Sequence, residues 1–167
     1  SRNLSTGIAL LVMRAAEMAR EDVPPQEIAK TLEYLTQKVE SSFVIDTLTY
    51  LQKGGRCSSV TALGASLLRL KPCIEVREGK MVVGKKFRGS FEKVCAAYVR
   101  DRLEGRTDID TSRLFITHTC RDFAPVELVR RQVLRYGDFR EILITKAGCT
   151  VSSHCGPNTL GILFLRQ

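Results

Sequence analysis

The chain has 167 residues, of which 44% are hydrophobic, enough for one ordinary folded domain with a buried core. No apolar run approaches the roughly 20 residues that a helix needs to cross a bilayer, so we expect no membrane span and a cytoplasmic location. For the net charge of +8, a solvated surface is the default interpretation, and an anionic ligand or an acidic protein partner is the alternative. Because the positive charges are scattered and no nucleic-acid-binding motif accompanies them, we expect no nucleic acid partner.

The six cysteines are spaced in a way that argues against disulfides and metal. No Cys-x-x-Cys pair is present, and Cys73 and Cys95 fall in apolar patterns where a thiol behaves as a small hydrophobic group. We therefore expect reduced thiols, no metal and no cofactor.

Two amphipathic helices are predicted at the beginning of the chain. Apolar residues recur at helical spacing over residues 8–19 and again over residues 28–39, and Pro25 suits a first helical position. No strand pattern accompanies these helices. Either upstream sequence completes their layer, or they pack on the sheet that follows.

Strands and helices then alternate to the end of the chain. Short apolar runs predict strands over residues 43–45, 73–83 (two strands around Glu78-Gly79), 114–118, 141–145 and 161–165. Helical spacing predicts helices over residues 46–53, 58–68, 91–99 and 125–133. This alternation indicates an α/β fold with a mixed sheet and helices packed on it.

A corner at Gly54-Gly55-Arg56 follows the short helix that Asp46 or Thr47 can cap. Glycine tolerates the left-handed conformation that ends helices, and the guanidinium of Arg56 offers five donors in a fork suited to a carboxylate or phosphate. A plain helix end with a surface arginine is the simpler interpretation, and the local pattern alone favours it.

His154 precedes Gly156-Pro157 and lies between two apolar runs. The pattern predicts a break between strands at which Pro157 opens a short helix, whose free N–H groups and the imidazole form an anion clamp. A strand-to-turn junction with a solvent-facing histidine is the alternative. The other histidine, His118, ends a strand and is interpreted as a structural or surface residue.

Two kinds of cysteine chemistry are disfavoured near His154. Cys155 adjoins it, but neighbours on a strand point to opposite faces, and no residue that would orient the imidazole is evident. A zinc site built from Cys120, Cys149, His154 and Cys155 would have a spacing unlike that of structural zinc sites.

Three motifs follow one another along the chain. They are Asp46-Thr47-Leu48-Thr49-Tyr50-Leu51-Gln52-Lys53-Gly54-Gly55-Arg56, Ala65-Ser66-Leu67-Leu68-Arg69-Leu70-Lys71-Pro72 and Ser153-His154-Cys155-Gly156-Pro157. Together they resemble the DegV family, the fatty-acid-binding proteins of bacteria. Residues 1–7 also resemble the start of a helix late in the family's first domain, so the similarity spans nearly the whole chain.

The resemblance implies two α/β domains that hold a long-chain fatty acid between them. Residues 1–41 would be the terminal helices of a truncated N-terminal domain, and residues 42–167 the C-terminal DegV-like domain. It also implies that the protein is not an enzyme and presents the fatty acid to a separate fatty acid kinase. The family's Ser and Thr ligands for the carboxylate precede this chain, so a complete site is not expected.

The family's carboxylate site carries over to Arg56 and His154 in this chain. The resemblance gives supporting loop roles to Gly54, Gly55, Gly156 and Pro157. Leu63, Leu67 and Ile74 are candidates to line the acyl tail, although such residues more often belong to the plain core. Asn158 stands where the family usually has glycine, and its side chain is expected to narrow the corner around the head group.

Two other functions stay open. The substrate-binding subunit of a dihydroxyacetone-kinase-like enzyme has a related architecture and uses a histidine to hold its substrate, but its sequence signatures are not evident here. A nucleic-acid-binding regulator is motivated only by the net charge.

Overall fold

The computed structural model describes residues 1–55 and 70–167. Within these ranges the helices are α1 (Thr6–Arg20), α2 (Pro25–Leu35), α3 (Thr49–Lys53), α4 (Phe91–Leu103), α5 (Ala124–Tyr136) and α6 (Cys149–Cys155). The strands are β1 (Val39–Ile45), β2 (Lys71–Arg77), β3 (Lys80–Phe87), β4 (Ile109–His118), β5 (Glu141–Lys146) and β6 (Thr159–Arg166). The helix predicted over residues 58–68 lies outside the described residues.

These strands form one mixed sheet in the order β3-β2-β1-β6-β4-β5. Neighbouring strands are antiparallel except β4 and β5, which are parallel because α5 connects them as a crossover. The predicted α/β fold, with a mixed sheet and helices packed on it, is confirmed.

One face of the sheet is covered by α4 and α5, which also pack against each other. The hydroxyl of Tyr98 in α4 donates to the Ser42 carbonyl at 2.7 Å and accepts from the Ile162 N–H at 3.0 Å. Because Ser42 and Ile162 are register partners in β1 and β6, this hydroxyl bridges the two strands from within the core.

The opposite face is covered in two separate places. At one end α1 packs on β1, β4 and β6, where Leu10 joins Leu163 in a buried cluster. At the other end α3 and α6 cover a second cluster that contains Leu51 and Ile74. The space between the two clusters contains the cavity described below.

The strand β1 begins at Val39, four residues earlier than the sequence predicts. Ser41 and Ser42 are both buried, and two adjacent serines hide the apolar alternation that marks a strand. The helix α1 contacts the sheet directly, which is one of the two arrangements that the sequence left open. The assignment of residues 1–41 to a separate truncated domain stays a prediction.

Candidate functional site

A cavity of about 380 Å³ lies on the sheet face between α1 and the α3–α6 pair. Its walls are largely apolar and include Phe43, Leu51, Val76, Met81, Val151 and Leu163. This volume is within the range of pockets that bury small organic ligands. We call it the acyl cavity, after the ligand that the sequence resemblance leads us to expect.

The floor of the cavity follows β6 from Thr159 to Leu163. Four residues of strand, at about 3.3 Å each, give it a length of about 13 Å. Gly161 lies midway, opposite Phe43 of β1. A β-carbon at position 161 would come within 2.6 Å of the Ser42 carbonyl oxygen and 2.9 Å of the Phe43 β-carbon. Glycine therefore keeps this part of the floor at the level of the backbone.

Thr117 contributes a hydroxyl to the wall, and this hydroxyl is already engaged. Its Oγ1 lies 2.6 Å from that of Thr6 in α1 and 2.9 Å from that of Thr145 in β5. The three hydroxyls tie the start of α1 to the sheet. With its hydrogen bonds satisfied, Thr117 does not need a polar ligand group beside it.

The helices α3 and α6 pack through reciprocal contacts between a glycine and a ring. The imidazole of His154 in α6 lies against Gly54, the residue after α3, and a β-carbon on Gly54 would overlap the ring's Nδ1. The phenol ring of Tyr50 in α3 lies against Gly156, the residue after α6, where a β-carbon would come within 2.7 Å of Cγ. Each glycine makes room for the ring of the other helix.

Gly156 also has a backbone requirement, since its φ of 77° with ψ of −177° is a conformation that essentially only glycine adopts. Its N–H donates to the Ser152 carbonyl at 2.9 Å, and its carbonyl accepts from the Thr119 hydroxyl at 2.6 Å. These bonds attach the end of α6 to the segment after β4.

The prediction that Gly156-Pro157 opens a helix is therefore wrong, and so is the anion clamp built on that helix. Gly156 terminates α6, and the exposed Pro157 follows because it cannot continue a helix. His154 lies in the last turn of α6 rather than at a break between strands.

His154 is half-buried and lines the acyl cavity. Its Nδ1 is buried against Gly54 and forms no hydrogen bond with any described residue. A histidine ring can donate hydrogen bonds to a carboxylate and, as imidazolium, also neutralise its charge. Of the predicted site residues, the structure thus brings together His154 and Gly54.

Asp46, at the end of β1, links two other segments near this corner. Lys71 pairs with its Oδ1, and the side-chain amide of Asn158 donates to its Oδ2 at 3.3 Å. Burial raises the pKa of Asp46, but the hydrogen bonds from Lys71 and Asn158 and the Lys71 charge outweigh it and hold the pKa below its usual value. Asn158 has a φ of 52°, which asparagine tolerates better than most residues.

His118 and Thr119 also line the cavity, whereas the sequence pattern indicates a structural or surface residue at His118. His118 is buried, and its Nδ1 forms no hydrogen bond with any described residue. Burial lowers the pKa of His118, a backbone hydrogen bond with Cys120 acts against this, and the charge of Lys146 lowers it further. The ring is therefore neutral at pH 7.

The other predicted site residues divide into two groups. Arg56, Leu63 and Leu67 lie outside the described residues, and their roles stay predictions. Gly55 is exposed, with a φ of 66°, and Ile74 is fully buried in the cluster that α3 and α6 cover, without lining the cavity.

The part of the chain that the structure describes has no group of three or more His, Cys, Asp or Glu residues placed to hold a metal. It also has no helix long and apolar enough to cross a membrane.

Comparison with known proteins connects these features to a family. Residues 1–167 match the model of the DegV family, a family described as uncharacterised proteins. The chain belongs to the DegV family. It is 31% identical over 168 residues to a DegV domain-containing protein of Clostridium perfringens, covering 99% of this chain and 56% of that protein. A DegV domain-containing protein of Caldanaerobacter subterraneus is 29% identical over 168 residues, covering 98% of this chain and 58% of that protein.

The same DegV fold is present in a solved structure from Thermus thermophilus, which is described as a fatty-acid-binding DegV family protein. The two share a TM-score of 0.84 and 29% identity, over 99% of this chain and 59% of the other. This DegV chain therefore spans less than two thirds of the length of the relatives that it matches.

Proposed function

We propose that this DegV protein binds a long-chain fatty acid, with the acyl tail in the acyl cavity and the carboxylate near His154. One observation carries the proposal. A largely apolar cavity of about 380 Å³ has the imidazole of His154 in its wall, next to the contact between α3 and α6. Fatty acid binding by the Thermus thermophilus relative supports the same class of ligand.

Burial of the tail supplies most of the expected affinity. A carbon chain with bonds of about 1.5 Å and near-tetrahedral angles advances about 1.25 Å per carbon, so about ten methylenes fit in about 13 Å. At about 0.8 kcal/mol for each buried methylene, the tail contributes about 8 kcal/mol before the costs of association.

The head group then sets the orientation of the ligand. Arg56 comes two residues after Gly54 in the sequence, and Gly54 contacts His154. We propose that the guanidinium of Arg56 and the imidazole of His154 both face the carboxylate. A hydrogen bond to a charged group contributes about 1.5–3 kcal/mol, which is enough to choose one end of the chain over the other.

In the whole protein, upstream Ser and Thr hydroxyls complete the carboxylate site, and a separate fatty acid kinase receives the exposed head group. The protein acts as a carrier in this scheme, not as a catalyst. Arg56→Ala and His154→Ala are each expected to weaken fatty-acid-dependent turnover by that kinase. Unchanged phosphorylation in both variants would remove the roles assigned to these two residues.

Native mass spectrometry of the complete gene product, purified from cells without added lipid, tests the binding itself. We expect the added mass of one long-chain fatty acid, released when the protein is denatured. His154→Gln, which keeps the size and polarity of the side chain but cannot become cationic, is expected to retain less. A wild-type protein that carries no fatty acid and takes up none when incubated with excess would contradict the proposal.

A further inference from the structure

A second cavity, of about 520 Å³, lies beside the point where the ladder between β1 and β2 ends at Ser42 and Glu75. Five guanidinium groups line it, from Arg2, Arg77, Arg102, Arg106 and Arg166. Three carboxylates line it as well, from Glu40, Glu75 and Glu78. We call it the arginine cavity.

Three of the guanidiniums converge on a single carboxylate, that of Glu40. Arg102 pairs with its Oε1, and Nη1 of Arg106 lies 2.7 Å from the same oxygen. Nε of Arg166 lies 3.9 Å from Oε2. One carboxylate shared by three cations leaves positive charge at this end of the sheet.

The other ion pairs do not remove that excess. Glu75 pairs with Arg77 at 2.7 Å and with Arg102 at 3.3 Å. Asp108 pairs with Arg106 at 2.7 Å from outside the cavity. Even with Asp108 included, the five guanidiniums outnumber the carboxylates around them. The Nε of Arg102 is buried and forms no hydrogen bond with a described residue.

The arginine cavity adjoins the acyl cavity. Ser41 and Val76 line both cavities, and in the segment before α1 residues 2–3 line the arginine cavity while residues 4–5 line the acyl cavity. Beyond Leu163 the cavity face of β6 is covered by α1, so a chain that leaves His154 reaches the guanidiniums by passing Ser41 and Val76, where the β1–β2 ladder ends. A terminal methyl group gains nothing there, whereas a second carboxylate gains charge-assisted hydrogen bonds.

We propose that the arginine cavity binds the second carboxylate of a long-chain α,ω-dicarboxylic acid, whose first carboxylate lies near His154. This inference rests on the proposed function, because the chain between the two carboxylates occupies the acyl cavity. With the arginine cavity, the range of ligands that the protein binds includes long-chain diacids as well as fatty acids.

The spacing of the two ends predicts the length of the diacid. The acyl cavity holds about ten methylenes over about 13 Å, so a diacid that also reaches past Ser41 and Val76 into the arginine cavity needs a longer chain. Hexadecanedioic and octadecanedioic acids are therefore the expected ligands.

Competition against a bound fluorescent fatty acid, with the complete and delipidated protein, tests the proposal. The competitors are hexadecanoic acid, hexadecanedioic acid and the monomethyl ester of the diacid, which has the same length and one charge fewer. We expect the diacid to bind the wild type within about threefold of hexadecanoic acid, and more tightly than its monomethyl ester.

The variant Arg77→Gln/Arg166→Gln removes two guanidiniums whose side chains are 68% and 42% exposed. It leaves Arg102 in place, so Glu40 and Glu75 keep a cationic partner. We expect it to weaken diacid binding about tenfold and to leave hexadecanoic acid and the monomethyl ester unchanged. Arg130→Gln/Arg131→Gln, which removes two exposed arginines on α5, is the matched control for net charge and is expected to change none of the three.

A diacid that binds the wild type at least about tenfold more weakly than hexadecanoic acid would overturn the proposal. Equal loss of all three ligands in the double variant would also overturn it, because the arginines would then support the fold and not the second carboxylate. If hexadecanoic acid itself does not bind the wild type, the proposed function fails together with this inference.

Discussion

The imidazole of His154 occupies the space that a side chain on Gly54 would take. These two residues lie at the C-terminal ends of α6 and α3, and their contact fixes where the histidine faces the acyl cavity. The position of His154 therefore depends on the absence of a side chain at residue 54.

Gly54→Ala is the smallest change that disturbs this contact. The backbone of Gly54, with φ of −78° and ψ of 0°, accepts alanine, so the new methyl group acts mainly by displacing the imidazole. We expect fatty acid affinity to fall about tenfold in a fluorescence displacement assay, equivalent to the loss of one charge-assisted hydrogen bond. Gly148→Ala is the control, because a β-carbon there meets open space and φ is −66°. Equal affinities in the two variants would contradict the role given to the contact.

Gly156→Ala is expected to destabilise the fold, for two separable reasons. Alanine is strained at a φ of 77°, and its methyl group collides with the ring of Tyr50. Together these cost about 1–3 kcal/mol in the free energy of unfolding, measured by urea denaturation. In the Tyr50→Ala background the collision is absent, so the same substitution should cost less but more than zero. An identical cost in both backgrounds would show that the ring contact contributes nothing.

The cysteines should differ sharply in their reactivity. Cys149 is exposed. Burial raises the pKa of the other four described thiols, to about 12 for Cys73 and Cys95 and to about 11 for Cys120 and Cys155. In a Cys57→Ser background, which removes the thiol outside the described residues, Ellman's reagent at pH 8 should label one thiol per native chain. Adding Cys149→Ser should abolish this labelling. Rapid labelling of two or more thiols in the Cys57→Ser protein would contradict the burial of the other four thiols.

The pKa of His118 predicts that the protein loses stability in mild acid. Burial lowers this pKa below its usual value of about 6.5, so the unfolded chain binds a proton more readily than the folded chain. The stabilising contribution is complete above pH about 6.5 and is lost as the pH falls from there towards the folded pKa. We expect the melting temperature to fall between pH 7 and pH 5, and His118→Asn to reduce that fall. If the melting temperature of the wild type and that of His118→Asn fall equally, the acid sensitivity comes from other groups.

Much of the fold can be predicted from local patterns in the sequence. The strands of the sheet are short apolar runs between turn residues, and α4 and α5 repeat their buried residues at helical spacing, as in Val94, Tyr98, Val126 and Val133. Such patterns persist because one face of each element is buried.

The errors concern short elements and contacts between distant segments. The helix α6 has only seven residues, too few to show a clear helical period, and its terminating glycine followed by proline resembles the start of a helix. The contact of His154 with Gly54 and that of Tyr50 with Gly156 arise only when α3 and α6 pack together. No local pattern encodes them.

The arginine cavity also arises from contacts between segments that are distant in the sequence. Its guanidiniums come from the segment before α1, from β2, from α4 and its following loop, and from the end of β6. In the sequence they are part of a scattered positive charge. Only the sheet order, which places β2 and β6 on either side of β1, brings them around one cavity.

A crystal structure of the complete protein with a fatty acid brominated near the middle of its chain tests the central claim most directly. We expect an anomalous bromine peak inside the acyl cavity, between Phe43 and Leu163, with the carboxylate density beside His154. A bromine peak on another surface of the molecule, or a carboxylate at the arginine end with no contact to His154, would contradict it.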